Sequence, residues 1–86
     1  MPSGIDGLGD RIVEFLRKQL GVRDPRLGTA TPLVSTGLVD SVDLVRVAGF
    51  LEAELGIVIP DGDVTVDHFD SVGSMVAYVH ARSAGR

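Results

Sequence analysis

Three segments of the 86-residue chain repeat apolar residues at helical spacing, so each must cover one apolar face against the others. In the first segment the pattern predicts a helix from about Leu8 to Leu20 that stops at Gly21. Its apolar face comprises Ile5, Leu8, Ile12, Leu16 and Leu20.

The second segment predicts a helix from about Ser41 to Leu55, ended by Gly56. Its buried stripe comprises Leu44, Val47, Ala48, Leu51 and Leu55. Val42, Val45 and Gly49 fall on a different side, where the valines are either covered by a loop or exposed.

The third segment predicts a helix that begins near Asp70 or Ser71, with one of these two residues as its N-cap. Its buried face comprises Val72, Met75, Val76 and Val79. Between the first two helices lies a long connection, residues 21–40, punctuated by proline and glycine. Its apolar residues predict an ordered loop held against the core; they are Leu33, Val34, Leu38 and Val39.

Residues Val64 to Phe69 fit either a strand or a single helical turn capped by Thr65. We expect the short helix, because no neighbouring run could pair with a strand. The sequence thus predicts an all-α fold, a small four-helix bundle of three main helices and one short helix with a long first loop. One domain should span residues 1–86, with its core at about 8–80 and a frayed tail at 82–86.

Composition narrows the classes of protein and site. The chain has no cysteine, which excludes disulfides and thiolate metal sites. No apolar run approaches membrane-spanning length, and the start, "MPSGIDGLGD", does not read as a signal peptide. We therefore expect a cytoplasmic monomer with no membrane partner.

Charge is unevenly distributed. The net charge is −4, but residues 40–70 contain eight acidic side chains and one arginine, Arg46, for a local charge of −7. This half would repel nucleic-acid phosphates and attract basic proteins, so we expect no nucleic-acid partner. A solvated acidic face that only improves solubility is the simpler alternative.

Ser41, in "GLVDSVDLV" at 37–45, allows three interpretations. With Asp40 it could cap the second helix. A nucleophilic role would need a neighbouring base, and only His68 and His80 could supply an imidazole, neither in a suitable motif. The third interpretation is attachment, because the start of a helix favours a phosphate group. We expect no catalytic residue and no metal site, since the clustered acids lack the spacing of a calcium loop.

Several features, in this order over about residues 8–80, resemble the acyl and peptidyl carrier proteins. They are the first amphipathic helix, the loop ending "STGLVDSV", the segment "VDLVRVAGFLEAELGIVIPD", the short "VTVDHF" and the final "SVGSMVAYV". The resemblance implies that Ser41 receives a covalent 4′-phosphopantetheine arm from coenzyme A, through a separate phosphopantetheinyl transferase. The arm would carry an acyl or aminoacyl thioester, and the protein itself would be non-catalytic.

The resemblance also implies partners and a docking surface. The expected partners are the transferase, an acyl- or aminoacyl-loading enzyme, and a downstream synthase or transferase. The expected docking residues are Leu38, Asp40, Val42, Asp43, Val45 and Arg46.

Three departures from the family pattern favour a specialised polyketide or nonribosomal-peptide pathway over primary fatty-acid synthesis. Val42 replaces the usual leucine, Arg46 stands where fatty-acid carriers tend to have an acid, and the lead-in reads Ser35-Thr36-Gly37. The alternative function is an unmodified acidic helical adaptor that binds a basic protein.

Overall fold

The computed structural model describes residues 7–84, with side chains as far as Arg82, and this part of the chain is an all-α bundle without strands. The helices are α1 (Leu8–Lys18), α2 (Ser41–Leu55), α3 (Val66–Phe69) and α4 (Val72–Ala84), with a 3-10 turn at Asp61–Asp63. The predicted helical bundle is therefore confirmed, including the choice of a short helix over a strand for α3.

The core consists of one apolar stripe from each long helix, together with Phe69 of α3. Its side chains at 2% exposure or less in these helices are Leu8, Ile12, Leu16, Leu44, Val47, Leu51, Phe69, Val72, Met75 and Val79. Leu55 and Val76 were predicted in the same stripes and are only partly buried. The stripes are buried together because none of these helices could cover its apolar face alone.

Helix α1 ends at Lys18, two residues before the predicted end at Leu20. The N–H groups of Gln19 and Leu20 both donate to the carbonyl oxygen of Phe15, at 2.8 and 3.3 Å. Gly21 then adopts a left-handed conformation with φ of 71°, which suits a residue without a Cβ. Ile5, the first residue of the predicted stripe, lies outside the described residues.

The caps of the two later helices differ in part from the prediction. Thr65 occupies the N-cap position of α3, but its side chain makes no capping hydrogen bond. Ser71 has the predicted capping role at α4, since its Oγ accepts from the Ser74 N–H at 3.1 Å. Asp70, the other candidate for this cap, has its carboxylate bonded elsewhere.

The carboxyl end of the bundle is more ordered than the sequence suggests. Helix α4 continues to Ala84, so residues 82–84 of the predicted tail are helical. Tyr78, which the apolar pattern did not single out, is buried, and its hydroxyl donates to Asp63 Oδ2 at 2.6 Å. Arg82 Nη1 lies 3.5 Å from the same oxygen. These contacts join α4 to the 3-10 turn.

The long loop between α1 and α2 is ordered and packs on the core, as predicted. Leu33 and Val39 are buried, and Val34 and Leu38 are partly buried against the core. The loop also buries Val22 and Leu27, which are not part of the predicted core.

Asp70 holds this loop by a group of hydrogen bonds that we call the Asp70 clamp. Its Oδ1 accepts from the N–H groups of Leu33, Val34 and Ser35 at 3.2, 2.7 and 3.0 Å. The Ser35 hydroxyl donates to Oδ2 at 2.9 Å, and the Leu33 N–H also reaches the Asp70 backbone carbonyl at 2.6 Å. The clamp connects residues that are 35 to 37 positions apart in the chain.

The clamp predicts an acid-sensitive contribution to stability. Donation from the Ser35 backbone N–H, joined by the other donors of the clamp, lowers the pKa of Asp70 despite the opposing effect of desolvation. A carboxyl group whose pKa is lower in the folded state than in the unfolded state stabilises the fold at pH values above the unfolded-state pKa, which is near 4. This contribution is lost as pH falls through the folded-state pKa. Asp70→Asn should therefore lower Tm at pH 7, and its difference from the wild type should shrink below about pH 4.

Thermal melts of both proteins between pH 2 and pH 7 check this expectation. Asp67→Asn is the matched control, since it removes the same charge from an exposed aspartate outside the clamp. A difference between wild type and Asp70→Asn that stays constant down to pH 2 would contradict the assignment.

Candidate functional site

The N-terminus of α2 is fixed by a reciprocal pair of carboxylates. Asp40 is the N-cap in an extended conformation, and its Oδ1 accepts from the Asp43 N–H at 2.9 Å. In return, the Asp43 Oδ2 accepts from the Asp40 N–H at 3.2 Å. This capping box begins the helix at Ser41, as the sequence predicts.

Ser41 is left free by this arrangement. The capping role, open between Asp40 and Ser41 in the sequence, belongs to Asp40. Ser41 is exposed, and its hydroxyl forms no hydrogen bond within the part of the chain that the structure describes. An accessible, unengaged hydroxyl therefore stands at the first residue of α2.

The backbone next to this hydroxyl suits an anionic group. The first intrahelical bond of α2 runs from the Leu44 N–H to the Asp40 carbonyl oxygen, at 3.0 Å. The N–H groups of Ser41 and Val42 precede it and have no partner within the helix. They contribute to the positive end of the helix dipole, which stabilises a nearby phosphate. A phosphodiester on Ser41 Oγ fits this donor set.

A strip of exposed side chains follows Ser41 along α2. Val42 and Val45 are 62% and 64% exposed, so the loop does not cover them. Arg46 is also exposed and forms no ion pair with another described residue. We call these three residues the α2 strip. Two further valines, Val58 at 74% and Val66 at 46% exposure, were not singled out from the sequence, because they lie outside the periodic stripes.

The other predicted docking residues have contacts within the fold. Leu38 is half-buried and packs against the core. Asp40 and Asp43 both form the hydrogen bonds of the capping box, and Asp40 is the more exposed of the two. The structure thus brings all six predicted docking residues to the N-terminal half of α2 or the chain just before it.

The geometry gives no support to a nucleophilic Ser41. No histidine within residues 7–84 forms a hydrogen bond with its hydroxyl, the contact through which a base would activate it. The His68 ring instead lies against Tyr78, with centroids 5.0 Å apart. Among the described residues there is also no group of three acidic or histidine side chains that could hold a metal ion. None of the helices within residues 7–84 has both the length and the apolarity to span a membrane.

Comparison with known proteins agrees with this geometry. Residues 10–79 match a family model described as the phosphopantetheine attachment site. No solved structure matches the chain. The match covers more than half of the chain, from the first turn of α1 to the buried part of α4. The chain therefore belongs to the acyl and peptidyl carrier protein family, whose domains carry a covalently attached 4′-phosphopantetheine group.

Proposed function

We propose that Ser41 Oγ is the atom to which the phosphopantetheine arm is attached. The observation that carries the proposal is an exposed, unengaged hydroxyl at the positive end of α2, within the matched residues. A transferase would join this oxygen to the phosphorus of the arm and release the nucleotide part of coenzyme A. The hydroxyl proton would pass to a base of the transferase.

The modified protein acts as a carrier and not as an enzyme. The thiol of the arm holds an acyl or aminoacyl group as a thioester, and partner enzymes load it and use it. A flexible tether raises the local concentration of the cargo at a docked active site, so weak and reversible docking is sufficient. An arm on an exposed helix start can enter a partner's active site without any change in the bundle.

The α2 strip, with Leu38, Asp40 and Asp43, is the proposed docking surface. Two exposed valines provide an apolar contact beside the attachment point. The surrounding segment of charge −7 attracts basic partner surfaces and speeds encounter with them. The proposed partners are the phosphopantetheinyl transferase, a loading enzyme and a downstream synthase or transferase.

The proposed setting is a polyketide or nonribosomal-peptide type pathway. This proposal is supported by the departures from the family pattern at Val42, at Arg46 and in Ser35-Thr36-Gly37. Arg46 is exposed, as are the two valines of the proposed docking surface. A cation at this position would favour partners that differ from those of carriers with an acid there.

Incubation with coenzyme A and a broad-specificity phosphopantetheinyl transferase tests the attachment site. The intact mass of the wild type should rise by one phosphopantetheine arm, and the mass of Ser41→Ala should not change. Thr29→Ala, which removes an exposed hydroxyl of the same loop outside the Asp70 clamp, is the control and should still be modified. An unmodified wild type with salt-sensitive binding to a basic protein would instead support the adaptor function.

Val42→Asp tests the docking surface. Loss of an exposed apolar contact should lower kcat/KM for modification about tenfold. The free energy of unfolding should change by less than about 0.5 kcal/mol, because the side chain faces solvent and an acid suits the first turn of a helix.

Val58→Asp is the matched control, an identical change at an exposed valine beyond the end of α2, and should leave the rate unchanged. Substantial unfolding of Val42→Asp would mean that Val42 supports the core. An unchanged rate would remove it from the docking surface.

A further inference from the structure

We propose that Asp70 is a positioning residue for the loading of Ser41. Through the Asp70 clamp it holds the loop before α2 in the one arrangement that the transferase recognises. This inference rests on Ser41 being the attachment residue. It concerns a side chain in the turn between α3 and α4, outside the sequence segment that contains the serine.

The clamp has the form of an anion site built into the fold. Three consecutive backbone N–H groups, those of residues 33–35, converge on one carboxylate oxygen of Asp70. The Ser35 hydroxyl occupies the other oxygen. Charge-assisted hydrogen bonds of this kind are stronger than neutral ones, and three of them fix the backbone direction of the loop.

A chain of short-range hydrogen bonds leads from the clamp to the start of α2. The Leu33 carbonyl oxygen accepts from the Val39 N–H at 3.2 Å, and the Val34 carbonyl oxygen accepts from the Gly37 N–H at 3.0 Å. Val39 is buried and directly precedes Asp40, the N-cap of α2. The residues that Asp70 holds therefore set where the chain enters the helix that presents Ser41.

The clamp can be weakened without removing the core. Asp70 and Val34 are only partly buried and Ser35 is exposed, so the clamp lies at the surface. The apolar contacts of Leu33 and Val39 remain when the Asp70 carboxylate is removed. A second tie, from the Gly73 N–H to the Thr29 carbonyl oxygen at 2.8 Å, also remains. Loss of the clamp should thus increase the fraction of molecules with an open loop and leave the bundle folded.

An open loop has a defined kinetic consequence. When only a fraction of the carrier molecules can bind, the apparent dissociation constant rises in inverse proportion to that fraction. Molecules that do bind have the native arrangement, so their rate of transfer is unchanged. The expected signature is a higher KM for the carrier with the same kcat.

The test measures kcat and KM of a broad-specificity transferase with the carrier as the varied substrate. Asp70→Ala removes both acceptor oxygens and should raise KM about tenfold with kcat unchanged. Asp70→Asn keeps one amide oxygen that can accept from residues 33–35, so its KM should lie between those of wild type and Asp70→Ala. Asp67→Ala removes an equal charge outside the clamp and should behave as wild type.

Hydrogen exchange at the Val34 and Ser35 amides, measured by NMR on the same proteins, reports whether the loop has opened. Circular dichroism gives the folded fraction, by which carrier concentrations are corrected. If Asp70→Ala proves too unstable to measure, Asp70→Asn and Ser35→Ala must still show faster exchange and a raised KM.

The results separate the two proposals. A wild type that accepts no arm overturns both. If the clamp variants show faster amide exchange but are modified at Ser41 with the KM of the wild type, only the positioning role is overturned. A KM effect that disappears after correction for the folded fraction, or that Asp67→Ala reproduces, overturns it as well.

Discussion

The exchange of hydrogen bonds between Asp40 and Asp43 fixes the residue at which α2 begins, and the candidate site depends on it. A start displaced by one residue towards the C-terminus would make Ser41 the N-cap, and its hydroxyl would then accept from the backbone N–H groups of the first turn. Because the Asp40–Asp43 capping box satisfies the cap, Ser41 is the first residue of the helix and its hydroxyl makes no capping hydrogen bond. Two carboxylates thus satisfy one backbone donor each and leave the neighbouring donors available to a phosphate.

Helix α2 divides its side chains between two tasks. One stripe, centred on Leu44, Val47 and Leu51, belongs to the core and anchors the helix against α1 and the rest of the bundle. The α2 strip faces solvent. A rigid helix with one buried side can present an exposed side in a constant geometry, which lowers the entropic cost of binding a partner. The loop before α2 is also held on two sides. Leu33 and Val39 are buried in the core, and the Asp70 clamp binds the loop at the surface.

The sequence was sufficient for the parts that depend on local pattern. The bounds of α2, the stripes of the long helices, the Ser71 cap and the choice of a short helix for α3 follow from spacing, capping chemistry and glycine. The sequence left open whether Val42 and Val45 were covered, because that depends on the path of a loop. Only the folded chain shows them exposed.

The errors concern contacts between distant residues. The clamp joins residues that are separated by 35 to 37 positions in the sequence. No local pattern therefore predicts that the Asp70 carboxylate binds the loop and does not cap α4. Tyr78 is buried and its hydroxyl donates to Asp63, fifteen residues away, a contact that the periodicity of apolar residues does not predict. The helical state of residues 82–84 accompanies a contact between Arg82 and the same aspartate.

The most direct test of the central claim is to locate the arm on the modified wild-type protein by peptide mapping. Trypsin, which cuts after arginine, should release residues 27–46, a peptide that contains five hydroxyl side chains: Thr29, Thr31, Ser35, Thr36 and Ser41. Fragmentation of this peptide should place the whole added mass on Ser41. Added mass on any of the other four residues, or on a different peptide, would contradict the account.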